Sequence, residues 1–140
     1  MPGPFPYLVD DLENPAPGCS VILSYDAHEK SWLAILDSGA DYTSIPIDVV
    51  SEFSLDQLGE VEVLGATGSA PDGAPEIQGL YLVNIEFPEF PTFTVAAHLV
   101  LGGTGPAARD FVLIGRDILN RHRILLSGPE NQFTVDEDFR

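Results

Sequence analysis

The stretch Ala34 to Pro46, AILDSGADYTSIP, decides how the rest of the chain is read. Five apolar residues, Trp32 to Leu36, suffice for one buried strand and deliver Asp37 to its end, where Ser38-Gly39 turns the backbone. Taking a carboxylate out of water costs free energy unless hydrogen bonds or a charge compensate, so Asp37 either caps a turn or does chemistry. Ser38 adds a small hydroxyl, and Gly39 lets another backbone or a substrate come close. Alone, the triplet is short enough to be an ordinary Asx turn.

Its setting says more. Small Ala40 and polar Asp41, Thr43 and Ser44 follow, and far downstream stands a second apolar segment running into glycine, Val112-Leu113-Ile114-Gly115-Arg116-Asp117. On these two segments the sequence resembles the retropepsin-like aspartic proteases, in which a strand ending in Asp-Ser/Thr-Gly-Ala is followed downstream by apolar residues, Gly-Arg-Asn/Asp and a helix. The resemblance covers residues 18 to 136. It implies an all-β fold with one or two short helices, a closed barrel equivalent to one half-lobe of an acid protease, and a homodimer. The Pro-rich arm 1–17 and the acidic tail 137–140 flank that domain.

The resemblance also implies roles. Asp37 is the catalytic acid, Ser38 bonds across the dimer axis, and Gly39 leaves room and exposes its carbonyl to substrate. Ala40 and Asp41 line the binding groove. Arg116 reaches back to Asp41, and a bidentate guanidinium–carboxylate pair there ties the helix to the catalytic turn. A solvated surface arginine is the plainer alternative. Gly65, Ala66, Thr67 and Gly68 fall where the family carries a flap that closes over bound peptide. Two alternating strands, Glu60 to Leu64 and Glu76 to Phe87, flank the small-residue stretch GATGSAPDGAP, which forms either that flap or a plain loop. This segment lacks the tyrosine of pepsin-like flaps.

Composition bounds the rest. A chain of 140 residues has room for one domain with a core, and 44% hydrophobic against 20% charged residues excludes a disordered chain. Cys19 is the sole cysteine, so no internal disulfide forms. With 22 Asp and Glu against 6 Lys and Arg, the net charge of −16 repels phosphate backbones, and neither nucleic acid nor an anionic membrane is an expected partner. Basic peptide segments are attracted by the same field, which also keeps the surface solvated. No run of 18 apolar residues occurs, and the N-terminus has neither the basic region nor the apolar core of a signal peptide. A cytoplasmic location is expected.

In chain order, the proline-dense arm is extended and either packs along a subunit or awaits a partner. Ser20 to Tyr25 reads as a strand, Asp26 to Ser31 as a polar turn, and Trp32 to Leu36 as its antiparallel mate. Thr43 to Ile45 is a brief strand, and Pro46 opens a short helix to Phe53. Phe90 to Leu101 is either a strand pair or one bent strand. Phe111 to Ile114 is the second apolar strand, Arg116 to His122 a helix, and Ile124 to Val135 a closing hairpin around Gly128-Pro129.

Other chemistries lack support in the pattern. His28, His98 and His122 have no metal-ligand spacing and read as structural, as does Trp32, expected in the core. The loop at Gly102 lacks the Lys-Ser/Thr of a phosphate cradle, and no nucleophile elbow exists. Neither metal nor organic cofactor is expected. Peptide hydrolysis by carboxylates needs two acids sharing a proton, one to activate water and one to polarise the carbonyl. No second Asp-Ser/Thr-Gly occurs, so the partner acid is expected from a second copy of the chain. The predicted activity is that of an aspartic endopeptidase acting on peptide or protein substrates. A catalytically silent dimerisation or peptide-binding module is the competing reading.

Overall fold

The computed structural model describes residues 3–8, 14–63, 76–103 and 110–136. Twelve elements are used here. From the N-terminus come β1 (Phe5–Pro6), β2 (Gly18–Tyr25), β3 (His28–Leu36), β4 (Ser44–Pro46), α1 (Ile47–Glu52) and β5 (Gly59–Val63). There follow β6 (Glu76–Glu86), β7 (Val95–Gly103), β8 (Val112–Ile114), α2 (Arg116–Leu119), β9 (Arg123–Ser127) and β10 (Gln132–Asp136). The expected class, all-β with two short helices and a closed barrel, is what the chain forms.

Strand alternation builds the core. Cys19, Val21 and Leu23 of β2 and Ala34 and Leu36 of β3 point inward, and all are buried, as are Tyr81, Val83 and Ile85 of β6. Burial of the Cys19 thiol, with Glu89 nearby, pushes its pKa up to about 12, so it acts as a small apolar residue. The large sheet runs β2-β3-β8-β4-β7-β6-β5, and β6 pairs back to β2. Closure works because β6 serves several partners: Glu76 to Leu80 face β5, Asn84 to Glu86 face β2, and β7 lies along the other side. A closed ring leaves few unpaired backbone groups.

A second, three-stranded sheet, β1-β10-β9, sits beside the barrel. Its junction is aromatic: Phe90 lies 5.2 Å from Phe5, 4.8 Å from Phe93 and 6.2 Å from Phe133, ring centre to ring centre. The N-terminal arm therefore docks on its own chain, with Phe5 paired to Phe133.

Four sequence expectations need correction. The first hairpin turns on Asp26 and Ala27 alone, because Tyr25 already pairs with His28 and Asp26 accepts a left-handed φ of 53°. Phe90 to Leu101 is neither a strand pair nor a bent strand: Pro91–Phe93 forms a 3-10 turn that buries Phe93, and a single strand follows. The helix after Gly115 stops at Leu119, and His122 stacks on Phe93 at 3.7 Å between ring centres. Trp32 is half-buried at the edge of the core, with the Lys30 ammonium 4.6 Å from its ring centre. Burial, with Arg121 adding to it, holds the His122 pKa below its ordinary value.

Candidate active site

Strands β3 and β8 run parallel, with Ala34, Ile35 and Leu36 opposite Val112, Leu113 and Ile114. Both strands therefore end at the same place, and the turns that leave them lie side by side. The Asp37 N–H donates to the Ile114 carbonyl at 2.8 Å, which continues the ladder one step past β3 and fixes the start of the turn. Inside the turn, the Gly39 N–H donates to Asp37 Oδ1 at 2.9 Å, and the Ala40 N–H to the Asp37 carbonyl at 3.2 Å. Asp37 is half-buried, while Ser38 and Gly39 are exposed. The Asx turn is real, but it occupies one carboxylate oxygen only.

Residues after Gly115 hold the turn from outside. The Arg116 N–H donates to the Ala40 carbonyl at 2.8 Å. Its guanidinium uses Nη1 on the Ser38 carbonyl at 3.1 Å and Nη2 on the Asp41 carboxylate. One side chain thus grips the turn on both sides of Gly39. Because the Arg116 and Asp41 side chains are 44% and 73% exposed, the pair positions more than it stabilises.

The far end of the turn is fastened by residues to which sequence reasoning gave no role. Thr43, wholly buried, gives its hydroxyl proton to Asp117 Oδ1 at 2.8 Å, and its N–H is shared by the two carboxylate oxygens at 3.0 and 3.1 Å. The Gly115 N–H donates to Thr43 Oγ1 at 3.1 Å, and His98 Nε2 lies 2.8 Å from Asp117 Oδ2. Burial raises the Asp117 pKa, but the bonds from His98 and Thr43 outweigh it, and the carboxyl lies below its ordinary value. Stability from this group is therefore complete above the ordinary carboxylate range and is lost as pH falls through the depressed value. Urea midpoints should accordingly favour the wild type over Asp117→Asn at neutral pH, with the gap closing in acid. A gap that widens as pH drops toward 2, on the order of the lower limit of carboxylate titration, would contradict the assignment.

Beside Asp37 lies an apolar floor. Register places Ile35, Leu113, Ser44 and Leu101 in one row across β3, β8, β4 and β7, and cross-strand partners share a face. Leu113 and Phe111 are buried and pack with Ile35 in a cluster apart from the main core. Asp37, two residues beyond Ile35, leaves β3 on that same side by strand alternation. Gly65, Ala66, Thr67 and Gly68, the flap-tip candidates, lie outside the described residues.

No protein-family model matches the chain, and no curated protein does. Among solved structures it is similar to one described as "EIAV protease complexed with the inhibitor HBY-793", with 17% identity, 81% of this chain and 93% of that chain covered, and a TM-score of 0.49.

Among the described residues no group of three His, Cys, Asp or Glu is placed to hold a metal ion. Nor is any helix there long and apolar enough to cross a membrane. What the geometry offers is one half-buried carboxylate with one oxygen unbonded among the described residues, on a turn held by backbone and side-chain bonds, next to an apolar floor.

Proposed function

We propose that the protein is an aspartic endopeptidase, active as a homodimer in which the Asp37 carboxylates of two copies share one proton. The observation that carries this reading is the clamped turn: Asp37 sits at the paired ends of β3 and β8, and Arg116 grips Ser38 and Asp41 around it. Fixed placement of a carboxylate is what general acid–base chemistry on water requires. A single carboxylate cannot both take the proton of water and give one to the scissile carbonyl. Two held together cannot both ionise cheaply, so one proton shared between them lets the pair supply both roles. Symmetry brings the second acid without a second motif.

In this mechanism the ionised member of the dyad deprotonates water, which attacks the carbonyl carbon while the protonated member hydrogen-bonds the carbonyl oxygen. The tetrahedral intermediate then collapses with proton transfer to the leaving nitrogen, and the dyad returns to its shared-proton state. Ser38 bonds across the axis, Gly39 presents its carbonyl, and Ala40 and Asp41 border the peptide. The floor of Ile35, Leu113 and Phe111 favours apolar residues flanking the scissile bond.

Cleavage of such peptides at mildly acidic pH tests the reading. Activity per chain should rise with protein concentration and level off as dimers fill, and a statine-type transition-state mimic should abolish it. A strict monomer that neither cleaves peptide nor binds the mimic would leave the silent binding module instead. Activity lost to a chelator would point to a metal hydrolase.

A further inference from the structure

We propose that His98 is a positioning residue for the Asp37 turn, acting through Asp117 and Thr43. The inference rests on the endopeptidase reading for its kinetic consequence, while its structural content stands on the hydrogen bonds alone.

The bonds to Asp117 are unevenly divided. Oδ1 accepts from the Thr43 hydroxyl at 2.8 Å, the Thr43 N–H at 3.0 Å and the Ile118 N–H at 3.0 Å. Oδ2 accepts a share of the Thr43 N–H at 3.1 Å and the His98 bond at 2.8 Å. His98 is thus the only donor among the described residues committed to Oδ2 alone. Without it, that oxygen is left with half of a bifurcated bond, and a carboxylate 19% exposed turns toward water to recover the loss. Turning swings Oδ1 off the Thr43 hydroxyl, which then keeps only the Gly115 N–H among the described residues.

Thr43 is where the catalytic turn rejoins the sheet. Its carbonyl accepts the Leu101 N–H at 2.9 Å and its hydroxyl accepts the Gly115 N–H at 3.1 Å, so a shift of Thr43 is passed to β7 and to the glycine that leads into Arg116. Arg116 in turn holds the Ala40 and Ser38 carbonyls. The route from His98 to the turn is therefore four hydrogen bonds, with the Gly115–Arg116 peptide bond joining the third to the fourth. His98 itself stands on β7 opposite Val83 of β6, with its side chain 13% exposed. Packing alone at such a site is met by an apolar side chain, whereas the bond to Asp117 needs a ring nitrogen.

The test compares His98→Met, which fills the space without a donor, with His98→Gln, whose amide can reach Oδ2. In the full chain, amide hydrogen exchange should quicken at Thr43, Ala40 and Gly115 in the Met variant by about tenfold and return to within about threefold of wild type in the Gln variant. In the peptidase assay the Met variant should lose kcat about tenfold with KM changed less than about twofold, and the Gln variant should recover most of it. Exchange that quickens only along β6 and β7, or a kcat loss that the Gln variant fails to rescue, would overturn the proposal. Should the Met variant not fold, His98→Gln against Asp117→Asn in the same two assays decides between these outcomes. A wild type without peptidase activity would sink the endopeptidase reading, while the exchange data still decide this one.

Discussion

On the endopeptidase reading, Asp37→Asn is expected to fold and pair as wild type does while losing nearly all peptide cleavage. The amide oxygen can still accept the Gly39 N–H, which now approaches Asp37 Oδ1 at 2.9 Å, and the backbone bonds to Ile114 and Ala40 do not involve the side chain. Thermal stability should stay within about 0.5 kcal/mol of wild type. Activity should fall by a factor on the order of a thousand or more, in kcat, because a neutral amide neither takes a proton from water nor shares one with its twin. Mixing sharpens the result. If each site needs both acids and chains pair at random, activity at fixed total chain concentration falls as the square of the wild-type fraction. Activity that simply tracks the amount of wild type would show that one chain suffices and would sink the shared-dyad mechanism.

Gly115→Ala should damage both stability and catalysis. A Cβ at this position would stand 2.5 Å from the Tyr42 carbonyl carbon, 2.7 Å from its oxygen and 2.9 Å from the Thr43 nitrogen. These are backbone atoms with no rotamer to escape into, and the φ of −92° at Gly115 carries no strain of its own, so the cost is one of space. Overpacking of this kind costs about 1–3 kcal/mol. Relief requires moving the Tyr42–Thr43 backbone, which closes the Asp37 turn, so on the endopeptidase reading kcat should drop further than the stability loss accounts for. Gly128→Ala, where nothing lies within 4 Å of the new methyl, serves as the control. Equal urea midpoints and equal kcat for the two variants would refute the crowding argument.

The strands were legible as short apolar runs bounded by turn residues: burial alternates over Cys19, Val21 and Leu23 and over Tyr81, Val83 and Ile85, although apolar Ile22 and Leu82 stand between them. Asp37 was legible for a different reason, an acid set directly after an apolar run. The helix from Arg116 was read too long because Ile118, Leu119 and His122 fit a helical face, yet His122 has a better partner in the Phe93 ring, and tertiary stacking ended the helix early. The link among Thr43, His98 and Asp117 escaped notice because hydrogen bonds between residues 74 and 19 positions apart leave no periodic mark. The one available hint was Asp117 itself, an acid just beyond a glycine that follows a fully apolar strand. The apolar floor left no separate mark for a similar reason: Ile35, Leu113 and Phe111 lie within apolar runs, and only cross-strand register separates their face from the main core.

The parallel pairing of β3 with β8 also bears on when the site can exist. A ribosome releasing this chain would present Asp37, Ser38 and Gly39 long before Ile114, Arg116 and Asp117, the residues whose bonds give the turn its shape. Such long-range contacts are made late in folding, since their loop must be closed before they are rewarded. A nascent chain cut short of Ile114 therefore carries the acid without its geometry, and any hydrolytic power is withheld until the segment from Ile114 to Asp117 has been made.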